Sequence, residues 1–100
     1  MPYLKFRTRH RMWCRMKMRL FHKIGDGGAE SALVRQFIVD NGLEELIDFS
    51  NVFYQDEQTA LFELAGPTAE APVMLVDGRA IYGSTAIIDW LKTGVLCFRD

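Results

Sequence analysis

The chain has 100 residues, 49% hydrophobic, with a formal net charge of −1, which suits a single domain with one small core. No run of about 18 uncharged apolar residues is present, so a transmembrane helix is excluded, and the cationic start lacks the apolar stretch of a signal peptide, so secretion is not expected. The near-neutral total conceals an asymmetry: residues 1–19 hold seven Lys/Arg and no acid, whereas residues 20–100 hold five bases against thirteen acids, a formal −8.

Residues 1–16 read as a basic, flexible leader with its hydrophobics scattered among arginines. Such an arm suits an anionic surface or nucleic acid, but nucleic acid is not the expected partner: the plainer expectation is a disordered leader, or an extension from a start site set too early, since Met12, Met16 and Met18 could each begin the protein. His10 and Cys14 are spaced like helical metal ligands, with no second pair to complete a site, so no metal is expected. Cys14 and Cys97 sit near opposite ends and form no close motif; two reduced thiols and a cytoplasmic location are the default expectation.

The domain proper is expected over residues 17–96, with 97–100 as a tail. Lys17 to His22 alternates like a first strand. Residues 24–28 form a glycine-rich loop that lacks the Lys-Ser/Thr ending of a phosphate loop and therefore reads as a turn. Ala32, Leu33, Phe37 and Ile38 fall at helical spacing over 29–41, with Gly42 as the stop. Leu46 to Val52 reads as a second strand. Asp56 is placed to cap a helix over 57–65, which Gly66-Pro67 ends. Val52-Phe53-Tyr54 and Phe62 are expected in the core.

Ala71-Pro72 leads into the apolar run Val73 to Val76, a strand buried on both faces, with proline at its first residue because it cannot donate to a ladder. A cis bond is cheap only before proline, and one there would bend the chain sharply. Asp77-Gly78 is a strong two-residue hairpin signal, Arg79 to Tyr82 returns antiparallel, and Ser84 reads as the N-cap of a last helix carrying Ile87, Ile88 and Leu91 on one face. Tyr82 and Trp90 are the expected exposed contacts. The order is β-α-β-α-β-β-α: an α/β domain with a four-stranded mixed sheet flanked by helices. Strands one to three are expected to be partly parallel, through right-handed crossovers, and the hairpin to add an antiparallel edge.

Two stretches resemble known families. Phe62 to Gly66 followed by Ala71 to Gly78 is similar to the glutaredoxin run of helix end, T-V-P, strand and glycine turn. Ser84-Thr85-Ala86-Ile87-Ile88-Asp89-Trp90-Leu91 looks like the signature of the glutathione transferase amino-terminal domain, and Phe21-His22-Lys23 parallels the glutaredoxin strand ending that sets a lysine near the active loop. The resemblance implies a thioredoxin-like fold over residues 18–96. It also implies a glutathione site in which Ala71, before Pro72, offers its backbone to the cysteinyl part. Gly83, Ser84 and Thr85 would then hold the γ-glutamyl carboxylate, and Lys23 would lie beside the loop.

The same alignment sets Gly28-Ala29-Glu30-Ser31 where glutaredoxins carry C-P-Y-C. A thiolate at a helix start is favoured by the helix N-terminus; here that position has no side chain. Ser31, with Glu30 and His22 as the nearest ionisable groups, has no triad-like base and reads as a solvated first-turn serine. The expectation is a redox-inactive relative, without catalytic residues or cofactor, that binds glutathione or a similar small anionic thiol peptide. The alternative is a protein-interaction module using the same groove or the basic arm. A third reading is an enzyme whose nucleophile, such as Cys14, folds back from outside the domain.

Overall fold

A computed structural model describes residues 17–95. The leader, Cys14, Cys97 and residues 97–100 lie outside the described residues, and with them the readings of a basic arm, a His10–Cys14 metal pair and a Cys14 nucleophile.

The strands are β1 (Met18–His22), β2 (Ile47–Asn51), β3 (Val73–Val76) and β4 (Arg79–Tyr82), and the α-helices are α1 (Ala29–Asp40), α2 (Gln55–Ala65) and α3 (Ser84–Trp90). A 3₁₀ turn, Glu44–Leu46, leads into β2, and α3 runs on into one π-type turn, Leu91–Val95. The sheet order is β2-β1-β3-β4. Parallel pairing is confined to β1 and β2, with Met18 opposite Ile47; β3 is antiparallel to β1, with Val73 opposite Phe21. The connection through α2 and residues 66–72 thus delivers β3 to the C-terminal end of β1, so only one of the early crossovers is a parallel one.

Period-2 alternation divides the core between the two sheet faces. Met18, Leu20 and Met74 face α1 and α3, packing with Val34, Ile38, Ile87 and Leu91. Phe21, Val73 and Leu75 face α2, where they meet Leu61. Deleting one of these fully buried side chains, for example Leu20→Ala, costs about 2–5 kcal/mol. Asp77 (φ 50°) and Gly78 (φ 86°) make the left-handed pair that the hairpin requires. Asp77 Oδ1 also accepts the Lys17 N–H at 2.8 Å, tying the turn to the entry of β1. α1 ends in a Schellman arrangement at Gly42, where the N–H of Leu43 reaches Ile38 O (2.9 Å) and that of Gly42 reaches Val39 O (3.1 Å).

Two caps differ from expectation. α2 begins at Gln55 with Tyr54 at the N-cap and no side-chain cap bond; Asp56 lies within the first turn, where it favours the helix through the dipole instead. The N-cap of α3 is Gly83 (φ 89°), and Ser84 is the first helical residue. Trp90 is half-buried against the main core, and Gly94 closes over its indole, so it is not an exposed contact. Phe53 (84% exposed), Tyr54 (58%) and Phe62 (39%) stand outside the core that their hydrophobicity suggested.

Candidate ligand-binding groove

The loop between β1 and α1 is built on the backbone of Lys23. Its N–H donates to Ser31 Oγ at 2.9 Å, and its C=O accepts from Arg35 Nη1 at 2.9 Å. Ser31 is therefore a buried staple, 1% exposed, rather than a solvated serine. Its hydroxyl is spent on an N–H that would otherwise lack a partner. Residues 25–28 close a turn through Gly28 N–H to Gly25 O at 2.9 Å, with Gly25 and Gly27 at positive φ. Gly28 is the N-cap of α1, and the loop folds so tightly over it that a Cβ there would lie 2.5 Å from Lys23 O. The Lys23 ammonium lies over the loop, close enough that a Cβ on Gly27 would be 3.1 Å from Nζ.

Across from this loop the chain enters β3. The Ala71–Pro72 peptide is cis, Pro72 is buried, and its C=O accepts the Gly83 N–H at 3.1 Å. Among the described residues, the N–H and C=O of Ala71 have no hydrogen-bond partner. An open groove of about 750 Å³ is lined by residues of both segments, Lys23 and Ala71 among them, and by Phe53, Gln58, Leu61 and Phe62. Gln58, Phe53 and Phe62 were not singled out from the sequence as site residues. Only the tertiary position of α2 brings them to the groove, and nothing in their local spacing signals it.

The remaining expected site residues lie elsewhere. Ser84 is 6% exposed, and its hydroxyl donates to Glu30 Oε1 at 3.0 Å. Ser84 and Thr85 line a separate, shallower groove of about 480 Å³ together with Leu33, Phe37 and Ile88. The six candidates thus divide: Lys23 and Ala71 share one groove, Ser84 and Thr85 another, and the Pro72–Gly83 backbone bond joins the two.

Two titratable groups are displaced from their ordinary ranges. Burial, and then the charge of Arg35, hold the His22 imidazole below its usual pKa. The residue is 6% exposed, and its ring meets Phe49 edge-on at 5.6 Å. On the other sheet face a Ser50 hydrogen bond, assisted by Arg19, lowers the carboxyl pKa of Glu57 against a smaller opposing effect of burial. Arg19 bridges Ser50 Oγ (2.8 Å) and Glu57 Oε1 (3.2 Å). Among the described residues no cluster of three or more His, Cys, Asp or Glu could hold a metal ion, and no helix is long and apolar enough to cross a membrane.

This arrangement of sheet and helices has a solved counterpart. The structure is similar to that of glutaredoxin 1 from Francisella tularensis, determined in complex with cacodylate, with a TM-score of 0.58 and 15% identity, over 82% of this chain and 98% of that one. No sequence-family profile matches the chain, and no curated protein matches it. At that identity the likeness defines the fold: a thioredoxin-like, glutaredoxin-like α/β domain.

Proposed function

We propose that the chain is a redox-inactive, glutaredoxin-like binding domain that takes glutathione, or another small anionic thiol peptide, in the groove between Lys23 and Ala71. The observation that carries this reading is the unpaired N–H and C=O of Ala71 on the same groove as the Lys23 ammonium. An extended peptide can exchange two backbone hydrogen bonds with Ala71, as a strand does at a sheet edge, while its carboxylate meets Lys23. For Gly83, Ser84 and Thr85 to contact the γ-glutamyl carboxylate in this reading, that end of the ligand has to leave the Lys23–Ala71 groove and cross the Pro72–Gly83 backbone bond to the neighbouring groove. That carboxylate must share the Ser84 hydroxyl with Glu30, whose Oε1 already lies 3.0 Å from it. Two carboxylates competing for one donor keep the affinity low.

Redox inactivity is supported by the chemistry at the start of α1. The sequence has no cysteine between Cys14 and Cys97, and Gly28 has no room for a Cβ without movement of the Lys23 carbonyl. A loop that excludes any side chain at the helix N-cap cannot present a nucleophile there. A cytoplasmic location belongs to the same proposal, since glutathione and two reduced thiols go together.

A second reading, a protein-interaction module on the same groove, is favoured by Phe53. It is 84% exposed beside Tyr54, with the two rings edge-to-face at 5.6 Å, and such aromatics are enriched where proteins meet. A glutathione titration followed by amide shifts separates the two. Saturable shifts at Lys23, Gly27 and Ala71 support the first reading. Their absence, together with retention of a partner that Phe53→Ser releases, supports the second.

A further inference from the structure

We infer that Arg35 and His22 form a proton-sensitive clamp on the Lys23 backbone, so that the Lys23 end of the groove loosens when His22 is protonated. The inference rests on the reading of this groove as the ligand site and assigns Arg35 as a positioning residue within it.

One guanidinium nitrogen makes both contacts. Arg35 Nη1 lies 2.9 Å from Lys23 O and 3.2 Å from His22 Nδ1. A guanidinium can only donate, so His22 Nδ1 has to be the bare acceptor nitrogen and the ring proton sits on Nε2. The ring has little freedom to turn away. The residue as a whole is 6% exposed, its ring packs edge-on against Phe49, and its C=O at the end of β1 accepts the Val52 N–H at 3.0 Å.

The charges around the ring are one-sided. From α1 it faces Arg35; from β2 it faces the uncharged ring of Phe49 and, in register, Asn51; the next residue along the chain is the cation Lys23. Among the described residues no carboxylate lies within ion-pair distance of the imidazole. A proton on Nδ1 would therefore set donor against donor and charge against like charge, with nothing nearby to compensate. Arg35 must then swing away, and the Lys23 carbonyl loses its side-chain donor. The other tether, Lys23 N–H to Ser31 Oγ, remains, so the loop shifts about Ser31 rather than unfolding. Because both burial and Arg35 lower the His22 pKa, the transition falls on the acidic side of the ordinary histidine range.

The test is a set of ¹H–¹⁵N titrations from about pH 7.5 to about pH 5 on the wild type, His22→Gln and Arg35→Met, each with and without glutathione. In the wild type the amides of Lys23, Gly28 and Ser31 are expected to follow the His22 ring with one shared midpoint, and the glutathione dissociation constant to rise at least about threefold across it. His22→Gln keeps an acceptor for Arg35 that does not titrate, and its amides and affinity should be flat. In Arg35→Met the His22 midpoint should climb, and Lys23 should already show its acidic shift at neutral pH. Lys23 amides that ignore the His22 titration, or an unchanged pH response in His22→Gln, would overturn the clamp. If glutathione binds none of the three proteins, the ligand reading fails, while the amide titrations still decide the clamp.

Discussion

Replacing Gly28 by cysteine would restore the sulfur that a thiol-exchange loop carries, yet the new Cβ would meet Lys23 O at 2.5 Å. Backbone, not a flexible side chain, has to yield. Gly28→Cys should therefore lose about 1–3 kcal/mol in urea unfolding and gain no glutathione–disulfide exchange; exchange activity at wild-type stability would show that the loop has room. Ser31 supplies the opposite case, a polar group whose loss leaves a partner stranded. Ser31→Ala removes the buried acceptor of a part-buried hydrogen bond from the Lys23 N–H, at a cost of about 0.5–1.5 kcal/mol, measured by the same unfolding curves. His22 adds a pH dependence of known sign. Its folded pKa lies below its unfolded one, so between the two the unfolded chain binds more protons. Stability is then complete above about pH 6.5 and declines as pH falls toward the folded pKa. The slope over that window should vanish in His22→Gln. Neither Ser31 nor His22 could be placed from the sequence, because the partners that define them, the Lys23 N–H and Arg35, become neighbours only when the loop closes.

At the level of elements, patterns with a local physical cause were readable. Asp77-Gly78 turned the chain as its φ preferences require, Gly42 ended α1, and the apolar run at 73–76 became an interior strand between β1 and β4. Features that depend on distant partners were not. Ser84 has the chemistry of a cap but donates to Glu30, 54 residues away in sequence, and Asp56 yields the N-cap to Tyr54. The antiparallel direction of β3 depends on how far residues 66–72 carry the chain after α2, which periodicity cannot report. Phe53 illustrates the limit of hydrophobicity as a guide to burial: it follows the Asn51 turn, whose Oδ1 accepts the Phe53 N–H at 2.9 Å, and points its ring to solvent. Phe53→Ser should leave stability within about 0.5 kcal/mol while weakening whatever the groove binds. A large loss in Tm would instead make Phe53 a packing residue.

The whole molecule combines a legible scaffold with a site that only three dimensions assemble. The two-faced core, with α1 and α3 on one side of the sheet and α2 on the other, follows from alternation along β1 and β3. The groove does not, since it joins Lys23 after β1, Gln58 and Phe62 from α2, and Ala71 before β3. Charge sets the scale of its affinity. Residues 17–95 carry six Lys/Arg against twelve Asp/Glu, and Glu70 lines the same groove as the Lys23 cation, so an anionic peptide approaches an acidic body with one ammonium to favour it. Dissociation constants near about 1 mM are the expectation, weakening further as salt screens Lys23. A ¹H–¹⁵N titration of the wild-type chain with reduced glutathione, to about 10 mM, tests the central claim most directly. The expected result is saturable shifts at Lys23, Gly27 and Ala71 with no thiol–disulfide exchange; unmoved amides at those three positions, or measurable exchange, would contradict it.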